Sequence, residues 1–213
     1  MVSNTKGMDS RTAVGRRVRK GLPRAEQVTK NRTDLLAAAG RVFRDLGYAG
    51  ASLDAIAEAA GFSKGAVYSH FSSKADLFLT LLEDRIETRA AEQREKIIRG
   101  DDPRAFIQSI YDTTSADPRW QLAVLEFRLV AARDPEMQAR YSRAHRRTID
   151  GVAEVIAEFL EAQGVEPAEP IEDLALAALM LDTGRFLEEL ASPGSGSTEF
   201  AGRIVGRLFG TKE

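Results

Sequence analysis

Apolar residues along the chain recur at steps of three and four, the spacing of one helix face, and no run settles into the period of two that marks a strand. From about Thr29 the inner stripe is Leu35, Ala38, Ala39, Val42 and Leu46, and Gly47 closes it. Leu53, Ile56, Ala57 and Ala60 make a second, shorter face, with Ser52 just before it as a side-chain N-cap. Gly61 ends that helix, because glycine reaches the left-handed conformation without a Cβ clash. Ser63 then opens a third helix, from about Lys64 to His70. Phe62 and Val67 flank the cap as a hydrophobic staple that fixes the entry angle. The pattern predicts two short helices joined by a tight turn, backed by a longer one in which Phe43 and Tyr48 are core.

A further helix start is expected at Ser73-Lys74, with Asp76 at N3 as a capping partner. Leu77, Phe78, Leu81, Leu82 and Ile86 begin that helix, which turns polar at EQREK and ends near Gly100. About 25 residues span close to 38 Å, enough for a lever between two domains. Three later starts repeat one device, Asp102-Pro103, Asp117-Pro118 and Asp134-Pro135, an N-cap acceptor followed by proline at N1. Another helix begins at Pro170 and ends before the SPGSGS loop, and Thr198 is expected to cap the last. That last helix carries two apolar stripes, Phe200, Ile204 and Leu208 on one side and Ala201, Val205 and Phe209 on the other. One short helix needs only one. The last two helices are therefore the candidate homodimer interface. The fold class is all-α, with a basic arm at 1–27, a helix-turn-helix domain at 28–75 (motif 52–71) and a larger helical domain at 76–213.

Composition changes this picture in two ways. The formal net charge of −2 hides a split: residues 1–74 hold 13 Lys and Arg against 6 Asp and Glu, and residues 75–213 hold 17 against 26. A basic end on an acidic body points to a polyanion met at that end alone. Arg16, Arg17, Arg19 and Lys20 make the arm a candidate to follow DNA, against the reading of a solubilising tail. The chain also has no cysteine and two histidines, so disulfides and thiolate zinc sites are excluded, and neither metal nor other cofactor is expected. No apolar run approaches a membrane span and no signal-peptide core opens the chain, so a cytoplasmic protein with no membrane partner is expected.

The chemistry-bearing residues gather in the turn and its helix. Lys64 and Tyr68 lie four apart on a side away from Val67 and Phe71, and Gly65 beside them leaves nothing to hold another backbone away. Lysine charge, phenol and serine hydroxyls, and a helix N-terminus suit a phosphate ladder. Ser52, Ser63, Lys64, Gly65, Tyr68, His70 and Lys74 are the candidate DNA-binding residues. The three serines Ser52, Ser63 and Ser73 serve as N-caps whether or not DNA is present.

The run from Arg32 to Leu77, with GYAGASLDAIAEAAGFSKGAVYSHFSSKADLF inside it, resembles the N-terminal domain of the TetR family of bacterial transcriptional regulators. The resemblance implies a homodimer whose paired helices read a near-palindromic double-stranded DNA operator. It also implies a C-terminal domain that binds a small-molecule effector and resets their spacing, most often to release a repressor. The effector residues stay unknown. Phe106, Tyr111, Trp120, Phe127, Met137 and Tyr141 are read first as core, and the basic run Arg143 to Arg147 around His145 as a solvated face.

Two other readings compete. A sequence-nonspecific architectural DNA-binding protein would share the basic end. An esterase-like enzyme is suggested by Gly61-Phe62-Ser63-Lys64-Gly65, which fits the G-x-S-x-G nucleophile elbow, but that elbow needs a strand before it and the preceding DAIAEAA is helix-periodic. No enzyme is expected.

Overall fold

The structure is a computed structural model that describes residues 24–99, 103–115 and 117–209. These form α1 (Arg24–Gly50), α2 (Leu53–Ala60), α3 (Lys64–His70), α4 (Lys74–Arg99), α5 (Pro103–Ser115), α6 (Pro118–Ala131), α7 (Pro135–Gln163), α8 (Ile171–Ala191) and α9 (Thr198–Leu208). Among the described residues there is no strand, and the all-α class holds. The arm residues Arg16, Arg17, Arg19 and Lys20 lie outside them, as does Asp102, while residues 24–27 already belong to α1.

The helix ends follow local chemistry. Ser52 Oγ accepts from the Ala55 N–H and Ser63 Oγ from the Ala66 N–H. Gly61, at φ 71°, turns the chain so that its N–H and that of Phe62 return to the Glu58 and Ala57 carbonyls. Asp117 caps Trp120, and Asp134 takes the N–H groups of both Glu136 and Met137, with proline at the first helical position each time. Two expectations change. The cap of α9 is Ser197, whose Oγ accepts from Phe200, while Thr198 Oγ1 takes a hydrogen bond from Gln108 on α5. Leu46, expected inside, is 53% exposed, because α1 leaves helical geometry at Gly47 and the stripe's last member falls past the core edge.

Two cores result. The first gathers Leu35, Phe43, Tyr48, Ile56, Val67, Phe71 and Phe78, and does not stop at residue 75. Trp120 and Phe127 of α6 enter it, with Phe78 5.2 Å from Trp120 and Tyr48 4.8 Å from Phe127 between ring centroids. The second joins Phe106, Ile107, Ile156, Phe159, Leu174, Val205 and Phe209 from α5, α7, α8 and α9. Helix α4 belongs to both ends: Leu77, Phe78 and Leu81 sit in the first core, and Ala90 and Ile97 pack on the second. Ion pairs fasten it to α7, Asp76 to Arg140 at 2.8 Å and Arg94 to Glu158 at 3.0 Å.

Candidate nucleic-acid interface

Helix α3 is held by one side only. Val67 is fully buried, Phe71 just after the helix is 2% exposed, and Phe62 packs against the same core, so the staple forms. The opposite side carries Lys64 and Tyr68, with Tyr68 56% exposed. A methyl group built at Gly65 would meet no atom within 4 Å, and no positive φ demands glycine there. Nothing inside the chain therefore requires glycine at this position. The exposed hydroxyl-bearing neighbours Ser52, Ser63 and Ser69 are occupied locally, two as caps and Ser69 donating to the Ala66 carbonyl.

Charge on this surface is partly spoken for. The Lys64 ammonium sits 2.5 Å from an Asp54 oxygen, both groups well exposed. That hydrogen bond and the Asp54 charge hold Lys64 above the ordinary lysine value, so it stays cationic. An exposed pair of this kind contributes little to stability and can be traded for another anion. His70 ends α3 half-buried, its ring 6.4 Å from that of Phe71.

Lys74 departs from expectation. Its ammonium donates to the carbonyls of Tyr48 (2.7 Å), Ala51 (2.9 Å) and Ala49 (3.4 Å), and lies 4.5 Å from the Tyr48 ring centroid. Burial lowers it from the usual lysine range, with the Glu126 charge pulling back. A lysine so placed clamps the α1–α2 turn. Glu126 of α6 closes the same turn from the other side, its Oε2 accepting the Ala49 N–H at 3.0 Å. A Cβ at Gly47 would stand 2.6 Å from that oxygen, and φ there is +69°. Sequence reasoning missed Glu126, which lies 77 residues from its partner.

The strand-turn-helix that a nucleophile elbow needs is not built at Gly61 to Gly65. Ser63 follows a helix, and its hydroxyl oxygen is the N-cap of α3.

The larger helical region holds two adjoining cavities, each of about 160 Å³. The first is walled by α4, α5, α7, α8 and α9 and is largely apolar, with Tyr111 among its lining residues. The second is walled by α4, α6, α7 and α8 and reaches Trp120, Tyr141 and His145. Of the aromatics read as core, Phe106, Tyr111, Trp120 and Phe127 are buried core, and Tyr111, Trp120 and the partly buried Tyr141 also line the cavities, as does His145. Burial, then the Arg128 and Arg146 charges, lower His145 below the usual imidazole value, so it is neutral near pH 7. Among the described residues no cluster of His, Cys, Asp and Glu suits a metal ion, and no helix is long and apolar enough to cross a membrane.

A helix-turn-helix with an outward-facing second helix, joined to a larger helical domain with internal cavities, defines a class of DNA-binding regulators. Residues 35–81 match the model of the bacterial regulatory proteins, tetR family, and residues 101–211 that of the tetracyclin repressor-like C-terminal domain. The chain belongs to the TetR family and is a DNA-binding transcriptional regulator. It is 30% identical over 184 residues to the transcriptional activator FasR of Mycolicibacterium smegmatis, covering 84% of this chain and 80% of that one. It is 29% identical over 177 residues to the transcriptional repressor AcnR of Corynebacterium efficiens, covering 80% and 87%. The solved structure of Salmonella enterica GusR superposes with a TM-score of 0.65 at 19% identity, covering 85% of this chain and 96% of that one.

Proposed function

We propose that the protein is a ligand-responsive repressor that binds a near-palindromic operator as a homodimer and leaves it when a small molecule enters the cavities. The observation that carries the DNA-reading part is the outward side of α3, where Lys64, the open position at Gly65 and Tyr68 adjoin with no packing role. Lys64 exchanges Asp54 for a phosphate, and the exposed N-terminal turns of α2 and α3, at Ser52 and Ser63, approach the backbone. Tyr68 meets base edges or sugar, and His70 supplies a contact at the far end of the helix. Such a protein works in the cytoplasm, beside the chromosome.

Dimerisation has its own support. Helix α8 exposes Met180, Leu187 and Leu190 and α9 exposes Phe200 and Leu208, while Ala201, Val205 and Phe209 are buried within the chain. An apolar face of this extent on two neighbouring helices suits a four-helix bundle across a two-fold axis.

Coupling runs through α6 as well as α4. One side of α6 lines the second cavity with Gln121, Val124, Leu125 and Arg128, and another packs Phe127 into the head and sets Glu126 on the α1–α2 turn. A ligand that shifts α6 therefore shifts the reading head.

The test is selection of host genomic fragments by the purified protein, followed by titration of the selected fragment and of scrambled duplex. Sequence-selective binding that Lys64→Ala and Tyr68→Phe each weaken at least tenfold, with unchanged Tm, is expected. Uniform affinity for every duplex would instead favour the architectural reading. In vitro transcription from the selected fragment fixes the sign. A rise in transcript on adding the protein would overturn repression, and FasR, itself an activator, makes that outcome worth measuring.

A further inference from the structure

The two cavities share Ile86, Arg89, Thr148, Leu179 and Asp182, so they form adjoining compartments of one space. The charged groups at that junction are unequally compensated. Asp182 is held at 3.0 Å by the nearly buried Arg185, and its charge also reaches Arg89 and Tyr111. Arg128 donates to the hydroxyls of Tyr141 and Thr183 and, among the described residues, pairs with no carboxylate. Arg89 lines both compartments, and among the described residues its guanidinium has neither hydrogen-bond nor ion-pair partner. Burial, then the Arg85 charge, hold Arg89 below the usual guanidinium range, and the Asp182, Asp117 and Glu92 charges offset this only in part, so an anion that enters against the guanidinium recovers a real cost. One turn along the same face of α4, Gln93 is 8% exposed and its Oε1 is buried without a partner. A half-turn of that amide presents an N–H to the same space.

Away from this polar junction the first compartment is lined by Ile110, Val152, Val155, Ile156, Ala178 and Phe209. A cavity of about 150 Å³ accommodates a benzene, that is about six carbons. The first compartment, at about 160 Å³, matches a tail of that size.

We propose that the inducing ligand is a medium-chain carboxylate, its head on Arg89 at the junction of the two compartments and its tail of about six to seven carbons in the apolar one. Net positive charge at the junction disfavours cationic ligands. A neutral ligand of the same length brings Arg89 no anion in hydrogen-bond reach. Arg128 stands on the far wall as a second cation toward the same head, on the helix that also carries Glu126.

This assignment rests on the reading of the chain as a ligand-responsive regulator, and the experiment separates the two. Octanoate, octanol and octyltrimethylammonium are titrated into the full chain by calorimetry, with the fluorescence of Trp120, the single tryptophan and part of the second compartment's wall, as a parallel signal. Octanoate is expected to bind at least tenfold more tightly than octanol, and the cation not to bind. Arg89→Met keeps the apolar stem and removes the charge. It should weaken octanoate at least tenfold, leave octanol unchanged and melt no lower than wild type, while Arg89→Lys retains most of the preference. Equal affinity for octanoate and octanol, unchanged octanoate affinity in R89M, or no binding of any of the three overturns the carboxylate assignment. DNA binding of wild type and R89M without ligand is measured alongside. If both bind the selected fragment alike while octanoate fails, the ligand class alone falls. If neither binds DNA, the regulator reading itself falls.

Discussion

Around α2 and α3 the polar groups close on one another, Ser52 and Ser63 onto N–H groups and Lys74 onto three carbonyls, and no buried side-chain atom there lacks a partner among the described residues. In the larger helical region Gln93 Oε1, Gln121 Oε1 and Arg185 Nε are buried without partners, and two cavities open between the helices. The head is built to keep one geometry, since each satisfied cap and clamp fixes an angle. The second region keeps unmet hydrogen-bonding capacity beside empty space, which a ligand can satisfy. Under the proposed function, rigidity falls where DNA would be read and unfilled potential where a ligand would enter, the division that such a regulator needs.

The largest expected effect tests the rigid half. Val67 is fully buried at the staple, so Val67→Asp places an unpaired charge in the first core and costs about 4 kcal/mol. A head that has lost its amide protection by hydrogen exchange, with α8 and α9 still protected, is expected. Simultaneous loss in both regions would mean that the two cores fold as one unit, joined through α4 and α6.

Next in size is assembly. Met180→Asp with Phe200→Asp introduces charges on the exposed apolar faces of α8 and α9, where they burden only a dimer. Sedimentation should show monomers with an unchanged monomer fold. Affinity for the selected fragment should fall at least a hundredfold, because two half-sites one helical turn apart need joined heads. Dimers that persist would move the interface, Ile98 of α4 and Leu122, Leu129 and Val130 of α6 being the other exposed large apolar positions in this half.

A smaller effect addresses the join between the regions. Glu126→Ala releases the Ala49 N–H, a hydrogen bond at an exposed site, and should lower stability by only about 1 kcal/mol. The same change should cut the factor by which octanoate lowers DNA affinity. By linkage it must cut equally the factor by which DNA lowers octanoate affinity. Unequal factors would show that one titration is not at equilibrium, and an unchanged factor would leave the signal to α4.

Legibility from sequence follows the same division. Ser52, Gly61, Ser63 and the Phe62–Val67 staple act over three to five residues, and spacing alone reveals them. The clamp made by Lys74 is not legible because its carbonyl partners lie 23 to 26 residues away, where no local pattern points. Glu126 was missed for the same reason. The cavities were illegible in principle: Tyr111, Trp120 and Tyr141 have the spacing of core residues, and they line space only because helices α4 to α9 meet at angles that local spacing does not fix.

The smallest effect is also the sharpest. Gly65 lies in the first turn of α3, where a methyl group meets nothing within 4 Å and φ is not in the left-handed region. Replacing glycine by alanine in a helix ordinarily stabilises it by about 0.5 to 1 kcal/mol, through reduced freedom of the unfolded chain. Gly65→Ala should therefore raise Tm slightly. If the α3 surface lies against a DNA backbone, the same methyl stands in the way, and affinity for the selected fragment should fall severalfold while octanoate binding is untouched. Stability and DNA affinity would thus move in opposite directions from one added carbon, a result that damage to the fold cannot produce. A raised Tm with full DNA affinity would show that the DNA backbone does not approach at Gly65, and would shift the reading surface toward Tyr68 and the far end of α3.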